Sequence, residues 1–136
     1  MGEFDLFVGA MPTSSLSYGE LLSTLEGILP TTAVEADPHP GAVQLRSDAA
    51  LLRVFDNADE SEGDTSLFAM IPWMISIRLL EVCDLWSDSL QLARFIYSAL
   101  SHRTDAYLML VHDDEELVDS NFTHEEIGDL RDFHYW

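Results

Sequence analysis

Few residues in this chain have the types and spacing that catalysis requires. The sequence has no Gly-x-Ser-x-Gly turn, no glycine-rich phosphate loop and no His-Glu-x-x-His pair. All six basic residues are arginine, so the chain has no lysine for Schiff-base chemistry or for holding phosphate. Cys83 is the only cysteine, and its apolar neighbours predict a small buried side chain. The sequence therefore predicts a protein that is not an enzyme.

Carboxylates and histidines supply the groups that could bind a metal ion. Residues 56–64 have the composition of a calcium loop, but Ala58 replaces the third-position ligand and Ser61 replaces the sixth-position glycine. His112 and His124 lie next to carboxylates in the sequence, and with His134 they could form a carboxylate-rich metal site. Nothing in their spacing imposes a shared coordination geometry. We therefore expect no metal and no cofactor.

Negative charge is the strongest chemical signal in the sequence. The 25 acidic residues and six arginines give a formal net charge of -19 for 136 residues. This charge argues against broad binding to nucleic acid or to an anionic membrane, because both require basic surface. Charge of this density speeds association with cationic proteins, and aromatic residues anchor such contacts. A purely solubilising role for the acidic residues is the alternative.

Two stretches are candidate binding surfaces for a basic protein partner. The first lies in the last 24 residues, which hold nine acidic residues and one arginine. It comprises Asp113, Asp114, Glu115, Glu116, Asp119, Glu125, Glu126, Asp129, Asp132, Tyr135 and Trp136. The second follows a predicted strand and comprises Asp56, Asp59, Glu60, Glu62 and Asp64. In both, carboxylates would meet the arginines and lysines of the partner.

Length, targeting signals and cysteine content limit the class of protein. The length predicts one acidic domain over residues 1–136. Acidic residues occupy the N-terminus where a secretion signal needs positive charge, and the longest uncharged apolar run, residues 67–77, is too short to span a bilayer. A single cysteine allows no intramolecular disulfide. We expect a cytoplasmic protein that contacts no membrane and is a monomer or a weak dimer.

The elements that must position these residues follow from hydrophobic periodicity. Phe4, Leu6 and Val8 alternate as in a strand. Ser17 and Glu20 form a capping box, which predicts a helix that ends before Pro30. A second helix is predicted over residues 90–102, and further strands near residues 31–34, 43–46, 50–55, 67–79, 106–111 and 117–118. Pro72 places the 67–79 strand at a sheet edge or at a bulge.

The order of these elements predicts an α+β fold. We expect a mainly antiparallel sheet of about five or six strands with two helices on one face. The order β-α-β-β occurs twice along the chain, with negligible sequence identity between the halves. This order suggests a purely topological repeat.

Residues 66–118 carry a family resemblance. The pattern consists of an alternating strand over residues 66–80, a helix with Ala93-Arg94-x-Ile96 and Leu100, then Thr104-Asp105-Ala106-Tyr107-Leu108, and an acidic turn to Leu117-Val118. It resembles the small acidic immunity proteins of bacterial polymorphic-toxin systems. The resemblance implies a non-enzymatic inhibitor that neutralises a basic toxin or effector enzyme. A DNA-mimic inhibitor from a phage or mobile element, and a small ligand-binding or enzymatic α+β domain, are the alternatives.

Overall fold

The computed structural model describes residues 4–29, 33–38, 41–47, 50–56, 71–80, 89–112 and 116–122. Within these ranges the chain forms seven strands and two helices. In chain order they are β1 (Phe4–Ala10), α1 (Tyr18–Ile28), β2 (Ala33–Ala36), β3 (Ala42–Arg46), β4 (Ala50–Asp56), β5 (Trp73–Leu79), α2 (Ser89–Arg103), β6 (Ala106–His112) and β7 (Glu116–Ser120). The predicted α+β class is confirmed, with seven strands instead of five or six.

The seven strands form one sheet in the order β2-β3-β4-β5-β1-β6-β7. Every neighbouring pair is antiparallel. The first strand of the chain is thus inserted between β5 and β6, and all its residues from Phe4 to Gly9 are buried. Because β5 and β6 both run antiparallel to β1, α2 connects two parallel strands that are separated by β1.

Both helices cover the same face of the sheet, as predicted. The side chains of Phe4, Leu6 and Val8 belong to one core cluster with Leu25 of α1 and Ile96 of α2. The alternation of a strand directs every second residue of β1 to this face, while the 3.6-residue period of each helix supplies the opposing stripe. The same cluster contains residues of β3, β4, β5 and β6, so it extends across most of the sheet.

A second apolar cluster lies on the face of the sheet that the helices leave open. It contains Phe7, Ile71, Met109, Val111 and Phe122, all of them buried. The interior strands β1 and β6 therefore bury apolar side chains on both faces. This explains why residues 106–111 form a nearly continuous apolar run.

The helix start predicted from Ser17 and Glu20 is confirmed, with Ser17 as the N-cap of α1. The Ser17 Oγ accepts a hydrogen bond from the Glu20 backbone N–H at 3.2 Å, and the Ser17 hydroxyl donates to the Glu20 carboxylate at 3.4 Å. The helix ends at Ile28, shortly before Pro30. At the first residue of the helix, the Tyr18 hydroxyl donates to the Val54 carbonyl at 2.6 Å and so ties α1 to β4.

The prediction that Pro72 marks an edge strand or a bulge is wrong for the residues that the structure describes. The strand β5 begins at Trp73, directly after Pro72, and it lies between β4 and β1. Pro72 precedes the first paired residue, so its missing N–H removes no hydrogen bond from the ladder. The predicted strand residues 67–70 lie outside the described part of the chain.

The sheet order does not repeat the two β-α-β-β runs. Both runs exist along the chain, as β1-α1-β2-β3 and β5-α2-β6-β7, with β4 between them. In space, however, the strand after α1 lies at the edge of the sheet, whereas the strand after α2 lies next to β1. The repeat is therefore limited to element order.

Candidate functional site

The described part of the chain contains three of the sixteen predicted binding residues. Glu116 and Asp119 of the first surface lie on β7 and are exposed, and Asp56 of the second is exposed at the end of β4. The others lie outside the described residues: Asp113, Asp114, Glu115, Glu125, Glu126, Asp129, Asp132, Tyr135, Trp136, Asp59, Glu60, Glu62 and Asp64.

The described residues of the two surfaces are far apart on the sheet. Asp56 pairs with Trp73, which lies opposite Val8 near the end of β1. Glu116 pairs with His112, and His112 lies opposite Phe4 at the start of β1. The strands β4 and β7 are also four positions apart in the sheet. Asp56 and Glu116 therefore belong to two separate surfaces.

A β-bulge controls which face the acidic residues of β7 occupy. The register pairs Leu110 with Asp119 and Val111 with Leu117, so Val118 is the extra residue on β7. Residues directly opposite each other in a sheet lie on the same face. Leu117 therefore faces away from the helices with Val111, whereas Asp119 lies on the helix face with Leu110. Without the bulge, residues 117 and 119 would share a face.

On the helix face, an open groove of about 310 Å³ lies between α2 and β7. Its apolar lining includes Phe4, Leu90 and Val118, and its polar lining includes Arg94, His112 and Glu116. We call it the α2–β7 groove. Because Glu116 lies on the strand side and Arg94 on the helix side, the two rims carry opposite charges.

His112 contacts both Phe4 and Glu116 at the strand side of the α2–β7 groove. The His112 ring stacks on the Phe4 ring with a centroid distance of 4.7 Å. The His112 Nδ1 lies 3.9 Å from the Glu116 Oε2, and the Glu116 side chain is 76% exposed. An ion pair that exposed contributes little to folding stability. The Glu116 carboxylate is therefore accessible to a partner.

Tyr97 and Asp119 extend the helix-face surface along α2 and β7. Burial and, to a smaller extent, the charge of Asp119 raise the pKa of Tyr97 to about 12. The effect of the Asp119 charge on Tyr97 of α2 agrees with the position of Asp119 on the helix face of the sheet, where the bulge places it. No signal in the sequence indicates that Tyr97 and Arg94 lie beside acidic residues, because this placement depends on the pairing of β7 with β6.

Asp37 is an acidic residue that contributes to the scaffold instead of the surface. Its side chain is fully buried and accepts hydrogen bonds from the Arg53 Nε at 2.7 Å and the Arg53 Nη2 at 2.9 Å. The Gln44 Nε2 donates to the same carboxylate at 3.0 Å. The Arg53 guanidinium also lies 4.9 Å from the centre of the Phe55 ring. This network joins the end of β2 to β3 and β4.

The negative charge is distributed unevenly between the described elements and the rest of the chain. The described residues include nine acidic residues and five arginines, a net charge of -4. The remaining -15 of the total of -19 belongs to residues outside the described ranges. The strands and helices thus form a nearly neutral scaffold, and most of the excess charge is carried by the segments that connect or follow them.

Metal binding and membrane insertion find no support in the described part of the chain. There, no three or more histidine, cysteine or carboxylate side chains come together as metal ligands do. Neither α1 nor α2 has the length and apolar character that a membrane-spanning helix needs.

The sequence and the fold were compared with known proteins. No protein-family model matches the chain. No curated protein and no solved structure shows significant similarity to it.

Proposed function

We propose that this protein is a non-enzymatic inhibitor of the immunity type, which binds a basic toxin or effector enzyme through an acidic surface. The observation that carries the proposal is the net charge of -19, of which only -4 belongs to the described scaffold. Self-repulsion among so many carboxylates lowers folding stability. A basic partner would relieve that repulsion on binding.

The mechanism that we propose is electrostatic capture followed by occlusion. Enzymes that act on nucleic acids hold the substrate phosphates with arginine and lysine side chains. Carboxylates such as Glu116 and Asp119, together with those of residues 113–115 and 125–132, would occupy these cations and exclude the substrate. Long-range attraction raises the association rate, and the aromatic residues Tyr135 and Trp136 would anchor the complex.

The proposal is tested by capture from a cell lysate with the tagged full-length chain at low salt. The matched control is a variant in which the nine acidic residues of positions 113–132 are changed to their amides. We expect one basic protein to bind the parent chain, to be inhibited by it in a purified assay, and to bind at least ten-fold more weakly to the variant. Equal capture by both chains, or capture without inhibition, would overturn the proposal.

Salt dependence of the melting temperature provides an independent prediction. Sodium chloride at about 0.15 M shortens the screening length to about 8 Å and weakens repulsion between exposed carboxylates. We therefore expect the melting temperature to rise with added salt, and to rise less in the amide variant. A melting temperature that stays flat from low to high salt in both chains would mean that the carboxylates are already paired or dispersed.

A further inference from the structure

The strand β7 is the last strand of the sheet on its side. Among the described residues it pairs only with β6. An edge strand presents backbone N–H and C=O groups on its outer side, and an extended peptide can pair with those that are not already bonded. In β7 the Ser120 N–H donates to the Asp119 carboxylate at 2.9 Å, so an added strand pairs with the other groups. The other edge strand, β2, is four residues long and contains a single acidic residue, Glu35.

The negative charge of the β7 edge favours a cationic strand. Glu116 and Asp119 are exposed on it, and the sequence that leads into it is Asp113-Asp114-Glu115. The bulge at Val118 limits uncontrolled pairing of the edge with other chains, and the charges decide which strand is tolerated there. A second copy of this acidic chain is repelled by such an edge, while a basic strand is attracted to it.

We propose that an extended basic segment of the partner adds to β7 as an eighth strand and places one of its side chains in the α2–β7 groove. The inference rests on the proposed function and specifies the binding geometry. The groove has room for one large side chain, because its volume is about 310 Å³ and its lining includes Leu90 and Val118. Backbone hydrogen bonds to β7 provide affinity, and the acidic rim selects lysine or arginine in the added strand.

Among the described residues of the groove, Arg94 is the one charged residue at which loss of charge should strengthen the binding of a basic segment. It lies on the helix rim of the groove, opposite the acidic strand. Its charge repels a basic segment, so removal of that charge strengthens binding. Removal of the Glu116 charge weakens binding. An exposed charge on α1, that of Glu26, lies on another element and serves as the matched control, since Glu26→Gln changes the net charge as Glu116→Gln does.

The test uses an eight-residue peptide of alternating valine and lysine as the probe for the full-length chain. Two control peptides carry N-methyl groups on every odd or every even backbone nitrogen. Because alternate residues of a strand direct their N–H groups to opposite sides, only one control has its methyl groups facing β7. We expect that control to bind at least ten-fold more weakly than the parent peptide, and the other to bind as the parent does. We also expect amide resonances of β7 to shift on binding.

Charge variants complete the test. An exposed charge pair is worth about 0.2–1 kcal/mol, which corresponds to a change of about 1.4- to 5-fold in the dissociation constant. We expect Glu116→Gln to weaken peptide binding within this range, Arg94→Gln to strengthen it, and Glu26→Gln to change it by less than about 1.4-fold.

The outcomes separate this inference from the proposed function. If both N-methylated peptides bind as the parent does, or if Glu26→Gln weakens binding as much as Glu116→Gln, strand addition at β7 is wrong while basic-partner binding stands. If no basic peptide binds at low salt, both proposals fail.

Discussion

The Asp37–Arg53 pair provides the sharpest test of how the scaffold is held together. The two side chains are unequally buried, since the Asp37 side chain is 0% exposed and the Arg53 side chain is 40% exposed. A change at either residue removes the same ion pair. The group that is left behind differs, however, because water can solvate the guanidinium but not the carboxylate. We therefore predict that Arg53→Gln destabilises the fold more than Asp37→Asn.

The magnitudes follow from the burial of each group. Removal of one partner from a fully buried ion pair costs about 3–5 kcal/mol, because an uncompensated charge remains inside the protein. Because Arg53 is partly exposed, we expect the cost of Arg53→Gln to lie near the lower end of this range, at about 3 kcal/mol including the lost contact with Phe55. Asp37→Asn keeps one acceptor oxygen and leaves a hydrated guanidinium, so we expect about 1–1.5 kcal/mol. The double variant should cost less than the sum, since the two residues interact directly.

Urea unfolding at neutral pH measures these free energies. Arg78→Gln is the control, because Arg78 is exposed on the neighbouring strand β5, and it should cost less than about 0.5 kcal/mol. The reasoning from burial is refuted if Asp37→Asn costs as much as Arg53→Gln, or if the effects of the two changes are additive.

Two further predictions concern residues near β7. Burial raises the pKa of Tyr97 to about 12 in the folded protein, so its stabilising contribution is complete below the ordinary tyrosine pKa of 10.0 and is lost between pH 10 and 12. The free energy of unfolding, measured with urea from pH 8 to 11, should therefore decline less steeply in Tyr97→Phe than in the parent chain. An unchanged decline would contradict this. The Asn121 Oδ1 accepts a hydrogen bond from the Leu108 N–H at 2.7 Å, and its Nδ2 donates to the Ala106 carbonyl at 2.6 Å. We therefore expect Asn121→Ala to lower the free energy of unfolding in urea by about 2 kcal/mol. The exposed control Gln91→Ala should cost less than about 0.5 kcal/mol, and equal costs would contradict the role of Asn121.

Several elements were predictable because their signals are short. The capping box at Ser17 needs only four residues, and the apolar stripe that follows spans a single helix. The alternation of Phe4, Leu6 and Val8 predicts both a strand and the face that it buries. The strand assigned near residues 117–118 was confirmed as β7, although its bulge had no signal in the sequence.

The error at Pro72 shows where local reasoning ends. An alternating run predicts a strand, but the residue at which pairing begins depends on the neighbouring strands. Here the pairing starts at Trp73, so proline was compatible with an interior strand. The Asp37–Arg53 pair also had no local signal in the sequence, because its two residues are 16 positions apart and meet only after β2, β3 and β4 have paired.

One part of the candidate site could be predicted from the sequence, whereas another part depends on contacts between distant residues. The excess of carboxylates, on which the proposal of a cationic partner rests, follows from composition without any knowledge of the fold. The α2–β7 groove depends instead on β1 lying between β5 and β6, which brings Phe4 next to His112. Periodicity specifies the face that each element buries, because it arises from the geometry of the chain itself. It does not specify which elements become neighbours, because that choice depends on packing between residues that are distant in the chain.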